Sequence, residues 1–217
     1  MIMKTVAHHN LFMLSSNQRK LISHLQKKKY RLEKNLFVAE GKKVINELIN
    51  SDWPFKNLFS TEEDFHPDSE LLTSDEMKKI SNFKTHSQAL GVFLLPEPQK
   101  IISEPITIAV DGISDPGNLG TIIRLCDWFG ISELICSKNT VDCFNAKVIQ
   151  ASMGSIARVK CHYVTDLGEV LTKMQKPIYG ATIGGDSIYS TKLPNKASYI
   201  FGSESHGISK PLFNHLN

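Results

Sequence analysis

Residues 111–130 read DGISDPGNLGTIIRLCDWFG and follow the apolar run Ile106–Val110, and this stretch decides the fold class. The apolar run predicts a buried strand, and the DPGN sequence at 115–118 is typical of a turn. Asp115 or Asn118 is suited to cap a helix, which the apolar spacing predicts over Leu119–Phe129. A strand, a polar turn and a helix in this order indicate one βα unit.

The same alternation continues toward the C-terminus. The predicted strands are Glu133–Ser137, Val159–Val164, Ile178–Ile183 and Tyr199–Phe201, and the predicted helices are Ala146–Met153 and Leu167–Met174. Apolar strands that alternate with helices predict an α/β domain with a parallel sheet covered on both faces. Such sheets bind ligands at the carboxyl ends of their strands, where this chain carries polar, glycine-containing stretches at 111–118, 182–186 and 202–207.

Residues 1–96 predict a smaller αβ domain, 97–104 a Pro-rich linker, and 105–217 the α/β domain. A helix capped by Ser15 or Ser16 is expected to run into the Lys27–Lys29 cluster, whose charges would then complement the helix dipole. The remaining predicted elements are strands at Leu36–Ala39, Phe55–Ser60 and Ala89–Leu95, and helices at Lys42–Ile49 and after a capping-box pattern at 73–76.

Composition places the chain among globular proteins, with 41% hydrophobic and 22% charged residues. The apolar runs are too short to cross a bilayer, and the N-terminus does not resemble a signal peptide, so we expect a cytoplasmic protein with no membrane partner. The Cys residues are scattered without metal-ligand spacing, and we expect most of them to be buried apolar side chains and no metal to be bound.

The positive charge is concentrated near the N-terminus. Residues 1–43 contain ten Lys or Arg and two acidic residues, whereas residues 44–104 contain five basic and eleven acidic residues. A basic segment of this kind is a candidate contact for a nucleic-acid backbone, although a solvated helix face explains a charge cluster equally well.

Residues 200–209, IFGSESHGIS, form the second chemically suggestive stretch. Gly202 and Gly207 permit close backbone approach, so this loop could wrap an adenine or a ribose, or could equally be a tight strand-to-helix turn. For Arg124 a surface ion pair is an alternative to a functional role. No Gly-x-Gly-x-x-Gly or Walker sequence occurs, which argues against nicotinamide enzymes and ATPases.

Taken together, these stretches resemble the SpoU/TrmH class of methyltransferases in the SPOUT superfamily. The family's first motif matches Asn118 and Arg124, and its Gly-Ser-Glu-x-x-Gly motif matches Gly202, Ser203, Glu204 and Gly207. A middle helix resembles the stretch around 151–154. Residues 37–49, FVAEGKKVINELI, look like the substrate-binding domain of many members, which is similar to ribosomal proteins.

The resemblance implies a trefoil-knotted, parallel-sheet methyltransferase domain that binds S-adenosylmethionine and methylates a ribose 2′-hydroxyl in ribosomal or transfer RNA. It also implies a homodimer with the methyltransferase domain at its interface. The alternative is an RNA-binding relative that has kept the fold and lost the chemistry. Because the family's third motif is expected after Gly207 and the chain stops at Asn217, the sequence predicts an incomplete cofactor pocket.

The resemblance also assigns residues. Arg124, Asn118 and Glu204 are the catalytic candidates, and we expect Arg124 to clamp a substrate phosphate because a guanidinium is a poor base at neutral pH. The candidates for cofactor binding are Thr182, Ile183, Gly184, Phe201, Gly202, Ser203, Glu204 and Gly207. The candidates for RNA binding are Arg19, Lys20, Lys27, Lys28, Lys29 and Arg31.

Overall fold

The computed structural model describes residues 12–217, which divide into two compact units. The first extends to Pro96 and includes Phe144–Ala146, and the second comprises Glu97–Cys143 and Lys147–Asn217. Residues 95–104 form no helix or strand. The boundary between the units therefore falls at the Pro-rich stretch. The assignment of Phe144–Ala146 to the first unit was not predicted from the sequence.

The first unit is a four-stranded sheet with helices. Its elements are α1 (Ser16–His24), α2 (Lys28–Lys34), β1 (Leu36–Glu40), α3 (Lys42–Asn50), β2 (Phe55–Ser60), β3 (Ser69–Leu71), α4 (Ser74–Ile80) and β4 (Ala89–Leu94). The strand order is β1-β4-β2-β3, with β4 antiparallel to both neighbours and β3 parallel to β2. A core that includes Ile22, Phe59, Met77 and Leu90 is almost fully buried. The short strand β3 was not predicted.

The lysine cluster does not end the first helix, contrary to the sequence-based prediction. Helix α1 stops at His24, and Lys28 and Lys29 lie in the first turn of a separate helix, α2. Positive side chains at a helix N-terminus oppose the helix dipole, so the predicted electrostatic support is absent. The break lies at Leu25–Lys27, where the carbonyl groups of Leu25 and Gln26 accept hydrogen bonds from the side chain of Arg31.

Capping was predicted correctly at the starts of two helices. Ser15 caps α1 in a reciprocal capping box with Gln18. Thr73 accepts a hydrogen bond from the backbone N–H of Glu76 at the start of α4. The side chain of Glu76 forms an ion pair with Lys79 and does not form the second hydrogen bond of a capping box. Both helix starts follow from local sequence chemistry.

The second unit contains a five-stranded, fully parallel sheet, as predicted. Its elements are β5 (Ile106–Asp111), α5 (Pro116–Trp128), β6 (Glu133–Ser137), α6 (Ala146–Ser152), β7 (Lys160–Val164), α7 (Leu167–Lys173), β8 (Ile178–Gly180) and β9 (Ala197–Gly202). Two short 3₁₀ segments lie at Ser155–Ala157 and Lys210–His215. The strand order is β7-β6-β5-β9-β8, with every pairing parallel.

A buried cluster covers one face of this sheet. It joins Ala109, Ile135 and Ile200 from the central strands to Leu171 of α7 and Leu212 of the last 3₁₀ segment. Strand β8 ends at Gly180, earlier than the predicted Ile183, and residues 181–196 form neither helix nor strand. Within residues 12–217, no helix has the length and apolar character needed to span a membrane.

Candidate functional site

Two loops meet where the central strands of the second unit end. Strands β5 and β9 are hydrogen-bonded neighbours in parallel register, and Asp111 at the end of β5 lies opposite Gly202 at the end of β9. The buried carboxylate of Asp111 accepts a 2.8 Å hydrogen bond from the backbone N–H of Ser209. This bond ties the loop after β9 to the end of β5.

The first loop positions Asn118 through its helix cap. Asp115 accepts a 2.8 Å hydrogen bond from the backbone N–H of Asn118, and Pro116 occupies the first helical turn, where its missing N–H costs nothing. The side-chain amide of Asn118 then donates a 2.7 Å hydrogen bond to Oε1 of Glu204 in the second loop. The predicted convergence of the two loops is therefore confirmed.

The second loop is closed by its own backbone. Ser203 and Gly207 form an isolated antiparallel bridge with N···O distances of 3.1 and 2.8 Å. A Cβ placed on Gly202 would lie 2.0 Å from the carbonyl carbon of Gly207, so only glycine fits there. Gly207 has a φ of +64°, which an L side chain rarely adopts. The two glycines predicted to shape this loop are required by its geometry.

A pocket of about 160 Å³ opens between the ends of β5, β6 and β9. It is lined by Asp111, Gly112, Asn139, Ser203, His206, Gly207 and Ser209. Ser203 and Gly207 were predicted as site residues from the sequence, whereas Asn139, His206 and Ser209 were not. The signal for Asn139 was its place just after the predicted strand at 133–137. For His206 and Ser209 it was their place in the 200–209 motif.

The loop after β6 is fixed by Ser137. Its hydroxyl accepts a 2.9 Å hydrogen bond from the backbone N–H of Gly112 and donates a 2.6 Å bond to Oδ1 of Asn139. With its oxygen engaged, the Asn139 side chain presents its NH₂ group on the side of Gly112, 3.2 Å from where a Cβ on that glycine would lie. The pocket wall is thus held by side chains from two strand ends.

Residues after β8 reach the same edge of the sheet. Strand β8 pairs with β9, and the backbone N–H of Ala181 donates a 2.9 Å bond to the carbonyl of Ile200. Thr182, Ile183 and Gly184 follow at once and are exposed, with the Ile183 side chain entirely in solvent. Phe201 at the end of β9 is 42% exposed. The predicted cofactor residues therefore lie at the end of β9 and on the loops that follow β8 and β9.

Arg124 lies on α5 and is not among the residues that line the pocket. It lies six residues after Asn118 on α5, which corresponds to about 9 Å along the axis and about 120° around the helix. Its guanidinium is exposed and contacts no acidic or carbonyl group among residues 12–217. That this guanidinium is aimed at the mouth of a pocket stays a prediction. The surface ion pair that was the alternative is absent among residues 12–217.

Helix α5 is pressed against α6 by small residues. A Cβ on Gly120 would lie 2.4 Å from Cβ of Ala151 and 2.9 Å from the backbone N of Ser152. The hydroxyl of Ser152 is fully buried and donates to the carbonyl of Ile149. The helix predicted at Ala146–Met153 is confirmed within one residue, at Ala146–Ser152.

The free side of α5 carries an ion pair and apolar side chains. Arg158 donates hydrogen bonds of 2.9 and 2.8 Å to Asp127, and this contact holds the pKa of the Asp127 carboxyl below its usual value. Trp128 is 83% exposed and Phe129 72% exposed, and Leu125 is half exposed beside them. Exposed large apolar side chains are often found where proteins contact a partner.

The candidate cations of the first unit divide into two groups. Lys20 and Lys27–Lys29 are exposed. Arg19 is half-buried and donates to the carbonyl of Leu14, so only part of its guanidinium is available. Arg31 is 3% exposed and donates 2.9 Å hydrogen bonds to the carbonyls of Leu25 and Gln26. The predicted RNA contact by Arg31 is therefore wrong, because its guanidinium is buried.

The thiols behave as the sequence predicted. Cys126, Cys136 and Cys143 are buried, and burial raises the pKa of the Cys126 thiol to about 11. Among residues 12–217, no three His, Cys, Asp or Glu side chains are grouped closely enough to hold a metal ion.

Comparison with known proteins relates both units to one family. The family model described as SpoU rRNA Methylase matches residues 105–217, and a model described as MRM3-like substrate binding domain matches residues 17–91. The chain is 28% identical over 200 residues to the 23S rRNA (guanosine(2553)-2′-O)-methyltransferase RlmP of Bacillus subtilis, covering 87% of this chain and 79% of that protein.

Solved structures are similar over nearly the whole chain. An RNA methyltransferase of the TrmH family from Porphyromonas gingivalis is 35% identical, with a TM-score of 0.84 and coverage of 95% of this chain and 87% of that one. An AdoMet-bound rRNA methyltransferase from Sinorhizobium meliloti is 25% identical, with a TM-score of 0.80 and coverage of 94% and 84%. The family model matches more than half of the chain, and the Porphyromonas gingivalis protein is 35% identical over 95% of it. The chain therefore belongs to the SpoU rRNA methylase family.

Proposed function

We propose that this protein transfers a methyl group from S-adenosylmethionine to a ribose 2′-hydroxyl of ribosomal RNA. The observation that carries the proposal is the 2.7 Å hydrogen bond from Asn118 to Glu204, which joins the two family motifs at one edge of the sheet. Ribosomal rather than transfer RNA is favoured because several similar proteins are named as rRNA 2′-O-methyltransferases.

The residues after β8 and β9 suit a bound adenosine. The backbone at Gly184 and Gly207 is open, since a Cβ on either glycine would meet nothing within 4 Å. The exposed side chains of Ile183 and Phe201 offer apolar surface for a flat base. Backbone groups of Thr182, Gly202 and Ser203 are the polar partners that we assign to the cofactor. When bound, S-adenosylmethionine supplies an activated methyl group on a positively charged sulfur.

The protein's part in the reaction is positioning. Methyl transfer needs the 2′-hydroxyl oxygen in line with the sulfur–carbon bond, and holding two reactants in this way lowers the barrier substantially. Glu204 fixes the amide of Asn118, and we assign these two side chains to shaping the loop beside the methyl group. The proton leaves the hydroxyl for an RNA phosphate or water, because a guanidinium is a poor base at neutral pH.

Arg124 is assigned to a phosphate of the RNA, which a guanidinium grips with two parallel hydrogen bonds. Because Arg124 does not line the pocket of its own chain, we place it at the pocket of a second copy. The exposed apolar side chains of Leu125, Trp128 and Phe129 on the same helix support a homodimer through this face. Each site would then combine loops from one chain with an arginine from its partner.

Further features rest on the family resemblance. They are a trefoil knot around the cofactor, completed by a third motif, and a first unit that resembles ribosomal proteins and grips RNA with Lys20, Lys27, Lys28 and Lys29. Ribosomal RNA as substrate also supports a cytoplasmic protein. The competing proposal, an RNA-binding relative without chemistry, is disfavoured by the presence of Asn118, Arg124 and Glu204 at the motif positions.

Two measurements test the proposed function. Calorimetric titration of S-adenosylmethionine into the full-length protein is expected to show saturable binding. Mapping of 2′-O-methylation in ribosomal RNA from cells with and without the gene is expected to reveal one position that loses its methyl group. Cofactor binding without a lost rRNA methyl group would point to another RNA substrate, and no cofactor binding would favour the non-catalytic alternative.

A further inference from the structure

The turn between α1 and α2 carries an exposed aromatic pair within a basic surface. The rings of His24 and Tyr30 stack with centroids 4.6 Å apart and planes inclined by 19°. His24 is exposed and Tyr30 half-buried, so Tyr30 backs the histidine ring from the protein side. The pair lies across the turn that bears the lysine cluster Lys27–Lys29.

This turn is held in shape by the arginine that the sequence had assigned to RNA. The buried guanidinium of Arg31 donates to the carbonyls of Leu25 and Gln26, the two residues that separate His24 from Lys27. Backbone bonds complete the turn, from the N–H of Lys27 to the carbonyl of His24 and from the N–H of Tyr30 to the carbonyl of Lys27, both 3.0 Å long. The aromatic pair and the lysines are therefore fixed relative to one another before any ligand binds.

The charge around the pair is almost entirely positive. Between Ser16 and Lys34 the sequence contains one acidic residue, Glu33. Its carboxylate lies 2.9 Å from Lys34 and is already paired. Lys27, Lys28 and Lys29 are exposed on the same turn as an exposed flat ring, a combination that suits a polyanion with flat bases.

We propose that this turn is a docking surface for single-stranded RNA, in which an unpaired base stacks on His24 and the flanking phosphates contact Lys27–Lys29. A base inside a duplex is covered on both faces by its neighbours and cannot stack on the ring, whereas the lysines can contact the phosphates of either form. Arg31 is a positioning residue in this surface. The proposal rests on the proposed function, since it names the form of RNA that the first unit selects.

The stacking step is tested by measuring RNA affinity of the full-length protein without cofactor. The probes are a fluorescein-labelled single-stranded RNA of mixed sequence and the blunt duplex formed with its complement, followed by fluorescence anisotropy. His24→Ala is expected to weaken single-strand binding by about 5-fold or more and to leave duplex binding unchanged. His24→Phe keeps a flat ring and is expected to bind as the parent does. Gln26→Ala, an exposed change in the same turn, is the matched control.

The phosphate contacts are separated from stacking by salt dependence. The Lys27/Lys28/Lys29 triple Ala variant is expected to bind both RNA probes more weakly. It should also lower, by about 2, the slope of log affinity against log salt concentration for the single strand, whereas His24→Ala should leave that slope unchanged. The proposed stacking is contradicted if His24→Ala loses the same affinity for both RNA probes. It is also contradicted if His24→Phe binds the single strand as weakly as His24→Ala does. Failure of the parent to bind either RNA would instead count against the proposed function, and cofactor titration of the same variants keeps the two failures distinct.

Discussion

The side-chain amide of Asn118 lies 2.7 Å from Oε1 of Glu204, 86 residues later in the chain. Each residue is delivered by a different strand end, Asn118 by the helix cap that follows β5 and Glu204 by the closed loop that follows β9. The bond is possible because β5 and β9 are neighbours in the sheet although three other strands separate them in sequence. It links the two motifs on which the proposed activity depends.

Separate changes at this bond distinguish geometry from charge. Glu204→Gln retains an oxygen that can accept from Asn118, whereas Glu204→Ala and Asn118→Ala remove the contact. If the bond positions the loop, we expect the two Ala variants to lose about 100-fold in methyl transfer and the Gln variant to lose much less. Initial rates with tritiated cofactor and an rRNA fragment measure this. Equal losses for Gln and Ala would show that the negative charge itself is needed.

A methyl group at Gly202 is expected to open the second loop. Its Cβ would lie 2.0 Å from the carbonyl carbon of Gly207, so Gly202→Ala must displace backbone atoms at a cost of about 1–3 kcal/mol. We expect a lower thermal unfolding midpoint and loss of cofactor affinity. Gly184→Ala is the matched control for stability only, because a Cβ there meets nothing within 4 Å but Gly184 belongs to the proposed cofactor site. A Gly202→Ala protein as stable as the control would contradict the tight closure of this loop.

The sequence predicted most of the second unit because its signals are local. The turn at 115–118, the cap by Asp115 and the apolar strand cores depend on neighbouring residues, and the structure places them as expected. The division of the first helix was missed, since it depends on the buried Arg31 reaching back to the carbonyls of Leu25 and Gln26. A basic side chain in a basic run gives no sign that it is buried.

Only some of the residues that line the pocket could be predicted from the sequence. Ser203 and Gly207 belong to a motif that can be recognised in the sequence, whereas Asn139 reaches the pocket through the order of strands in the sheet. Which pocket Arg124 serves could not be predicted, because the spacing of a motif along the chain does not state which face of the helix a residue occupies. Six residues of helix turn the side chain away from Asn118.

The Asp127–Arg158 pair is expected to make stability depend on pH in the acid range. Arg158 lowers the folded-state pKa of Asp127, so the pair stabilises the fold above the ordinary aspartate pKa of about 3.9. That contribution is lost as the pH falls through the lower, folded-state value. Because Arg158 is partly exposed, we expect at most about 1 kcal/mol.

Thermal unfolding of the parent and of Asp127→Asn at several pH values checks this. The difference in midpoint should be largest near neutral pH and should shrink in acid. Asp186→Asn, a change at an exposed position, is the control and should match the parent throughout. A difference that grows as the pH falls would have the wrong sign for a carboxyl with a lowered pKa.

The exposed apolar surface of α5 is expected to hold two copies together. Trp128 is 83% exposed, and Trp128→Glu would bury a charge in the proposed interface, so we expect a concentration-dependent shift from dimer to monomer. Light scattering after size-exclusion chromatography measures the mass directly. Tyr189→Glu, at another highly exposed aromatic side chain, is the control. A monomeric parent protein would contradict the proposed dimer.

Arg124 provides the sharpest test of how the site is assembled. Arg124→Lys keeps the positive charge but loses the planar fork, and we expect methyl transfer to fall about 10- to 100-fold while cofactor affinity stays the same. If the guanidinium acts on the partner's pocket, mixing Arg124→Ala with Asn118→Ala chains should restore activity. Mixed dimers would then contain one site with both residues intact, and neither variant alone would. Absence of recovery in dimers shown to have exchanged subunits would place Arg124 at the pocket of its own chain and overturn the shared site.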